Sequence, residues 1–362
     1  MIYFLGFILL LLLIFTGIVF YYYKLISRLL SLFKNADRKK FIYKALAIIF
    51  ALLTINIFSL SFVFFMYFIC ISLCIDLLYF ILSRITKNKI IKNVYNTLLI
   101  PFCLTVIILV YGFINMNNIV ETKYTIYTDK NIEDFRILYI SDSHYGDVFK
   151  KEDLDSVKSR FDEVNADIVI LGGDIVDEST TKDDMEYIFS VLGDIKNNNG
   201  IYFVYGNHDR QLYSTNPTYS TKELHSAITS NDIYIIRDNY IELDNNVILF
   251  GREDYSLKRK SIEEYSFGIN KDKYLIMADH QPIQYDENVK NGIDLIVSGH
   301  THAGQIFPVE FFINVLKTAD LSYGYKDVEG MDAVVSSGLV GWGFPIRTSR
   351  HSEYVVIDVK KR

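Results

Sequence analysis

The chain has 362 residues and a net charge of −6, but the average hides a division: residues 1–120 carry eleven Lys/Arg against two acids, net +9, while residues 121–362 carry 26 against 41, net −15. Cys70, Cys74 and Cys103 all lie in the apolar first third, which excludes a disulfide framework or a thiolate metal site from the remainder. With so acidic a remainder, no nucleic-acid partner is expected.

Taken in order, Ile2 to Tyr23 is uncharged and long enough to cross a bilayer as a helix. No basic residue precedes it and no small-residue cleavage site follows, so it reads as a retained anchor. Lys24 to Lys40 reads as a basic loop. Phe41 to Ser83 is too long an apolar run for one span, and a tight turn near Ser59–Ser61 would make it two. Arg84, Lys87, Lys89 and Lys92 form a second basic loop, and Thr97 to Ile114 reads as a fourth span with Pro101 in its first turn, where proline is tolerated. Four spans place both basic loops on one side. The positive-inside rule then makes that side cytoplasmic and everything after Asn118 extracytoplasmic. Asp76 lies inside the third span; it reads as an ion or proton site, or as a carboxylate paired with a basic loop residue.

From Glu121 onward short apolar runs alternate with polar segments of helical period, the pattern of a layered α/β domain. Strands are expected at Phe135–Ile140, Asp167–Leu171, Ile201–Tyr205, Ile233–Ile236, Val247–Phe250, Tyr274–Ala278, Leu295–Val297, Ala333–Val335 and Tyr354–Val359. Helices are expected at Glu152–Val164 and Asp183–Ile195. The division is therefore residues 1–120, a transmembrane anchor of about four helices, and residues 121–362, a catalytic domain.

Five of these runs end in groups that bind metals: Asp142-Ser143-His144, Gly173-Asp174, Gly206-Asn207-His208-Asp209, Asp279-His280 and Gly299-His300-Thr301-His302. Of seven histidines only His225 and His351 fall elsewhere. Open α/β sheets bind ligands at the carboxyl ends of their strands. Asp142, His144, Asp174, Asn207, His280, His300 and His302 offer oxygen and imidazole donors without thiolate, a set suited to Mn first, with Fe or Zn as alternatives. The simplest object needing all of them is a pair of divalent ions sharing Asp174, with a hydroxide between them that attacks phosphorus. Gly206 and Gly299 let the backbone turn sharply beside the ligands.

These motifs, in this order, resemble the calcineurin-like metallophosphoesterases from about Phe135 to the carboxyl terminus. The resemblance implies an α/β/β/α sandwich. It puts Asp142, His144 and His302 on one metal, Asn207, His280 and His300 on the other, and Asp174 between. It makes His208 the acid that protonates the leaving oxygen, oriented by Asp177. Gly304-Gln305, Ser336-Ser337-Gly338-Leu339 and Trp342-Gly343-Phe344-Pro345-Ile346-Arg347 resemble a bacterial membrane-anchored branch. Glu178 stands where the serine/threonine protein phosphatases have Arg-Gly, which argues against that substrate class, and Ala303 stands where the branch has Gly.

The expected activity is hydrolysis of a phosphodiester or pyrophosphate bond in an envelope or lipid-linked phosphoester, by a multi-pass protein of the cell membrane. The alternatives are a phosphomonoesterase or nucleotide hydrolase facing the cytoplasm, and a membrane sensor or transporter with a regulatory metal domain. Asp209 reads as a cap for the segment after it. Arg252 and Arg347 read as surface or sheet-edge residues, with phosphate binding as the alternative. Trp342 reads as a core residue, with stacking on a base or sugar as the alternative. Specificity is expected in the loops Gln211–Tyr219 and Asp254–Lys273.

Overall fold

An apolar run within a bilayer satisfies its backbone only as helix, and the described secondary structure of the first third is helical. The structure, a computed structural model, describes residues 2–33, 40–56, 59–146, 148–244, 246–266 and 268–362. It divides into two units, Met1–Tyr111 and Gly112–Arg362.

The first unit holds α1 (Ile2–Leu30), α2 (Lys40–Ile55), α3 (Leu60–Ile85), α4 (Lys89–Thr97) and most of α5 (Leu99–Asn117). Among the described residues three helical stretches are long and apolar enough to cross a membrane: Leu9–Leu30, Leu60–Ile85 and Leu99–Asn117. α2 has 16 residues, about 24 Å at 1.5 Å per residue, short of the roughly 30 Å of a bilayer core. The long apolar run does turn where expected, because the Ser59 side chain accepts a hydrogen bond from Phe62 N and caps α3.

The basic loops need correction. Lys24 and Arg28 ride on α1, Arg84 on α3, and Lys89 and Lys92 on α4; Lys34, Arg38 and Lys39 lie outside the described residues. Asp76 is fully engaged by residues on helices rather than in a loop. It accepts from Lys24 Nζ (2.8 Å), Tyr95 OH (2.9 Å), Tyr21 OH (3.1 Å) and Arg28 Nη1. A carboxylate matched by two cations and two phenols is a helix–helix tie, the paired form in which intramembrane charge is tolerated.

The second unit carries β1 (Ile119–Thr128), β2 (Phe135–Ile140), α6 (Lys151–Glu163), β3 (Ile168–Leu171), α7 (Lys182–Gly193), β4 (Ile201–Phe203), α8 (Thr221–Thr229), β5 (Ile233–Ile235), β6 (Asn239–Leu243) and β7 (Val247–Gly251). It continues with α9 (Ile262–Ser266), β8 (Tyr274–Ala278), α10 (Tyr285–Asn291), β9 (Leu295–Ser298), α11 (Val309–Leu316), β10 (Gly324–Val328), β11 (Met331–Val335) and β12 (Ser352–Lys361). One sheet runs β1-β12-β2-β3-β4-β5 and the other β10-β11-β9-β8-β7-β6. β2, β3, β4 and β5 pair in parallel, as do β7, β8, β9 and β11.

Ile137, Ile170 and Ile357 of the first sheet pack with Leu249, Ile276 and Val297 of the second in one core. The first sheet's other face is covered by α6, α7 and α8 through Leu154, Phe161, Phe189 and Leu224. The second sheet's other face meets Ile262 of α9 and Tyr285 of α10. This is an α/β/β/α sandwich. The unforeseen strands β1, β6 and β10 are half-exposed edge elements or neighbours of edges, which lack the continuous apolar signal of strands buried on both faces.

Ile357 is wholly buried between the sheets, so Ile357→Ala is expected to cost about 2–5 kcal/mol, measured by urea unfolding followed through Trp342, the sole tryptophan.

Candidate metal centre

The site is built where parallel strands of both sheets end. Asp142 and His144 follow β2, Asp174 follows β3, and Asn207 and His208 follow β4; His280 follows β8, and His300 and His302 follow β9. The polypeptide bends hard to bring these side chains together. Asp142, His144, Asp174, His300 and His302 all have positive φ, between 41° and 67°. That conformation costs a non-glycine residue about 1–2 kcal/mol and marks functional sites when the surroundings enforce it. Two glycines permit the approach: a Cβ on Gly206 would collide with the Asp174 carboxylate, and one on Gly299 with that of Asp142.

The side chains converge into two groups, Asp142/His144/His302 and Asp174/His280/His300, within each of which one ligand atom per residue lies within 4.8 Å of the others. Asp174 sits between the groups. Its Oδ2 is 3.1 Å from His280 Nε2 and 3.9 Å from His144 Nε2, while its Oδ1 accepts from His208 N at 2.8 Å. Asn207 is buried at 7 % exposure, and its Oδ1 has no hydrogen-bond partner.

The backs of the imidazoles are occupied. His280 Nδ1 lies 2.8 Å from Gly172 O and His302 Nδ1 lies 3.3 Å from Val340 O, while His144 Nδ1 faces Asp177 Oδ2 at 3.3 Å without hydrogen-bond geometry. A proton on each Nδ1 leaves each Nε2 with only a lone pair, the arrangement found behind metal-bound histidines. His144 Nε2 and His302 Nε2 then face each other at 3.2 Å, acceptor to acceptor, which a shared cation relieves. The orphaned Asn207 Oδ1 and His280 Nε2 add two further buried acceptors. The residues fit a pair of metal ions.

Electrostatics point the same way. Burial, reinforced by the Asp174 charge, pushes the Asp142 carboxyl up. Asp174 is held ionised against its burial by His280 and His144. Burial lowers His300 to about 4, with the His280 charge adding to it, and burial with the nearby His144 lowers His302 well below the usual imidazole range. His300 and His302 are thus neutral imidazoles beside two buried carboxylates, while the Asp174 and Asp142 charges overcome burial and raise His280.

Several sequence expectations change. Asp177 faces His144, and its Oδ1 accepts from Ser179 N (2.8 Å) and Ser179 Oγ (2.6 Å). The carboxylate on His208 Nδ1 is Glu178, at 2.6 Å, one residue further along and one methylene longer. Sequence reading weighed Glu178 only as a departure from a motif; its neighbourhood to His208 arises from two separate loops. Burial disfavours the charged His208 ring, but the Glu178 hydrogen bond and the Asp174 charge outweigh it and leave its pKa raised.

Asp209 does not cap the segment after it. It accepts from Gly206 N, Asp174 N, Ile175 N and Val176 N, which knots the β3 and β4 loops together; burial and the Asp174 charge push it up to about 6. Arg252 and Arg347 are buried rather than on the surface. Arg347 donates to His302 O, Ser337 O and Val340 O, and Arg252 faces Asp279 at 3.6 Å. Trp342 is not in the core: its ring centroid is 5.1 Å from that of His208 and 6.5 Å from that of His144. Tyr213, in the Gln211–Tyr219 loop, lies 5.2 Å from His208. The Asp254–Lys273 loop sends Arg259 to Asp279, beside His280.

Residues 135–304 match the family of calcineurin-like phosphoesterases. An uncharacterized metallophosphoesterase of Helicobacter pylori (strain ATCC 700392 / 26695) is 30% identical over 234 residues, covering 63% of this chain and 60% of the relative's own length. One of Campylobacter jejuni is 26% identical over 301 residues, 80% of this chain and 77% of that protein. A Danio rerio transmembrane protein with metallophosphoesterase domain is 24% identical over 296 residues, 77% and 66% of the two chains. Over residues 135–304 the chain carries a domain that matches the calcineurin-like phosphoesterases.

Because a raised pKa keeps His208 protonated below it and loses the proton as pH rises through it, Glu178→Gln is expected to move the basic limb of the pH–rate profile to lower pH. Gly206→Ala is expected to abolish metal retention, measured by elemental analysis of the purified protein.

Proposed function

We propose that the protein is a membrane-anchored phosphoesterase dependent on two divalent metal ions, with residues 1–120 as anchor and residues 121–362 as catalytic domain. One observation supports the reading: two groups of metal-binding side chains lie on either side of the buried Asp174, with His208 beside them. Asp142, His144 and His302 would hold one ion and Asn207, His280 and His300 the other, with Asp174 common to both; Mn suits the oxygen and imidazole donors. When bound, such ions neutralise phosphoryl oxygens and supply an activated water for in-line attack.

The chain's own residues do the rest. Glu178 fixes His208 through Nδ1 and keeps it protonated, which leaves Nε2 as the nitrogen available to a leaving oxygen. Asp177 and the carbonyls of Gly172 and Val340 orient the ligand imidazoles. Trp342 and Tyr213 border His208 and would border the leaving group.

The bond hydrolysed is a phosphodiester or pyrophosphate in an envelope or lipid-linked substrate. Arg210 is paired with Glu253, Arg259 with Asp279, and Arg347 with three carbonyls. The charges of Arg210 and Arg259 and the hydrogen-bond donors of Arg347 are already engaged, which suits a singly charged diester better than a dianionic monoester. If the short α2 crosses as a fourth span beside the three longer apolar helices, both basic segments are cytoplasmic and the catalytic unit lies outside the cytoplasm.

Asp174→Asn is expected to abolish both metal retention and hydrolysis. His208→Ala should keep both ions and slow turnover by about 10²–10⁴-fold. Metal-stripped protein resupplied with Mn should cleave bis-p-nitrophenyl phosphate faster than p-nitrophenyl phosphate; the reverse order would make it a monoesterase. An enzymatic reporter fused after Arg362 should be active only outside the cytoplasm.

A further inference from the structure

α11 is an anomaly in the second unit. None of its residues is buried, and with the residue pair before it this segment exposes Phe307 (63 %), Val309 (42 %), Phe311 (60 %), Phe312 (51 %), Val315 (58 %) and Leu316 (68 %). A helix of eight residues with so much exposed aromatic and branched surface is unfavourable in water. Its place in the chain says what covers it.

The last turns of α5, from Gly112 onward, belong to the second unit, and they are also the end of the apolar stretch Leu99–Asn117, which is long enough to cross a bilayer. The chain thus enters the unit with no linker. The entry turns dock on the segment 346–352. Arg347 N donates to Gly112 O at 3.0 Å, and Asn115 Nδ2 donates to Arg347 O at 3.0 Å and Arg350 O at 2.6 Å.

The same segment holds α11. Arg350 Nε and Nη2 donate to Glu310 at 2.9 Å each, and Phe307 N donates to Thr348 Oγ1 at 2.9 Å. One short segment therefore grips both the point of membrane exit and the apolar helix. Glu310, the helix's only charged residue, is spent on that grip, and Lys317 follows the helix as its C-cap, placed to reach phosphate headgroups.

We propose that α11 is seated in the bilayer interface as a second, peripheral membrane contact that presents the catalytic centre to lipid-linked phosphoesters. The link to the centre is short: His302 lies seven residues before Val309, and Gln305 between them donates to the carbonyls of Trp342, Phe344 and Ile346. The substrate part rests on the phosphoesterase reading; the seating of α11 does not.

Full-length protein in lipid nanodiscs provides the test, with Trp342→Phe and Phe312→Trp combined so that the introduced indole is the only one. Quenching of that indole by lipid brominated near the glycerol end of its chains is the expected result, with no quenching when the indole is placed instead at the exposed Tyr234. An indole that lipid does not quench overturns the seating, whether it is open to acrylamide in the water or shielded from it by a second copy of the chain. A triple variant, Phe311→Ser, Phe312→Ser and Leu316→Ser, should hydrolyse soluble bis-p-nitrophenyl phosphate at the unaltered rate. It should lose about tenfold or more on a phosphodiester lipid in the same nanodisc. Equal loss on both substrates, or on neither, overturns the presenting role. Failure of the unaltered protein on the soluble diester would defeat the phosphoesterase reading and leave the quenching result standing.

Discussion

A wholly buried carboxylate, Asp174, lies between two sets of imidazoles, and the second unit is arranged around keeping it there ionised. Burial alone would protonate it; His280 and His144 hold it as an anion. The backbone is held just as firmly. Asp209 gathers four amides from the loops after β3 and β4, and one of them belongs to Asp174 itself. Loops with five non-glycine residues at positive φ survive because such ties outweigh the conformational cost.

The two sheets explain how candidate ligands separated by up to 160 positions can meet. Each sheet aligns parallel strands so that their carboxyl ends open toward the same place, and the common core registers one sheet on the other. β2, β3 and β4 deliver one half of the donor set; β8 and β9 deliver the other. The loop after β11 closes the arrangement, with Arg347 anchoring His302 and Trp342 reaching His208. Buried arginines that donate to carbonyls stiffen this loop without offering charge to a ligand.

Within the first unit the same economy of charge appears. Asp76 is matched by Lys24 and Arg28 and by two tyrosines, and Arg28 lies over the Tyr95 ring at 4.0 Å. Of the two readings the sequence allows for Asp76, an ion site or a paired carboxylate, its neighbours decide for the second, a tie between α1, α3 and α4. A low-dielectric setting makes such a tie strong and a lone charge untenable.

Strands buried on both faces were legible from residues alone, because continuous β-branched runs such as those of β2 and β8 have few other ways to be satisfied. The metal-binding residue types at their ends were legible too, since ligand chemistry demands Asp, Asn and His whatever the fold. What depended on tertiary structure were the pairings between loops: Glu178 with His208, Asp177 with His144, Asp209 with four amides, and Trp342 beside His208 instead of in the core. These are contacts between segments tens to hundreds of residues apart, set by side-chain length and local turn geometry. Spacing along the chain carries no record of either.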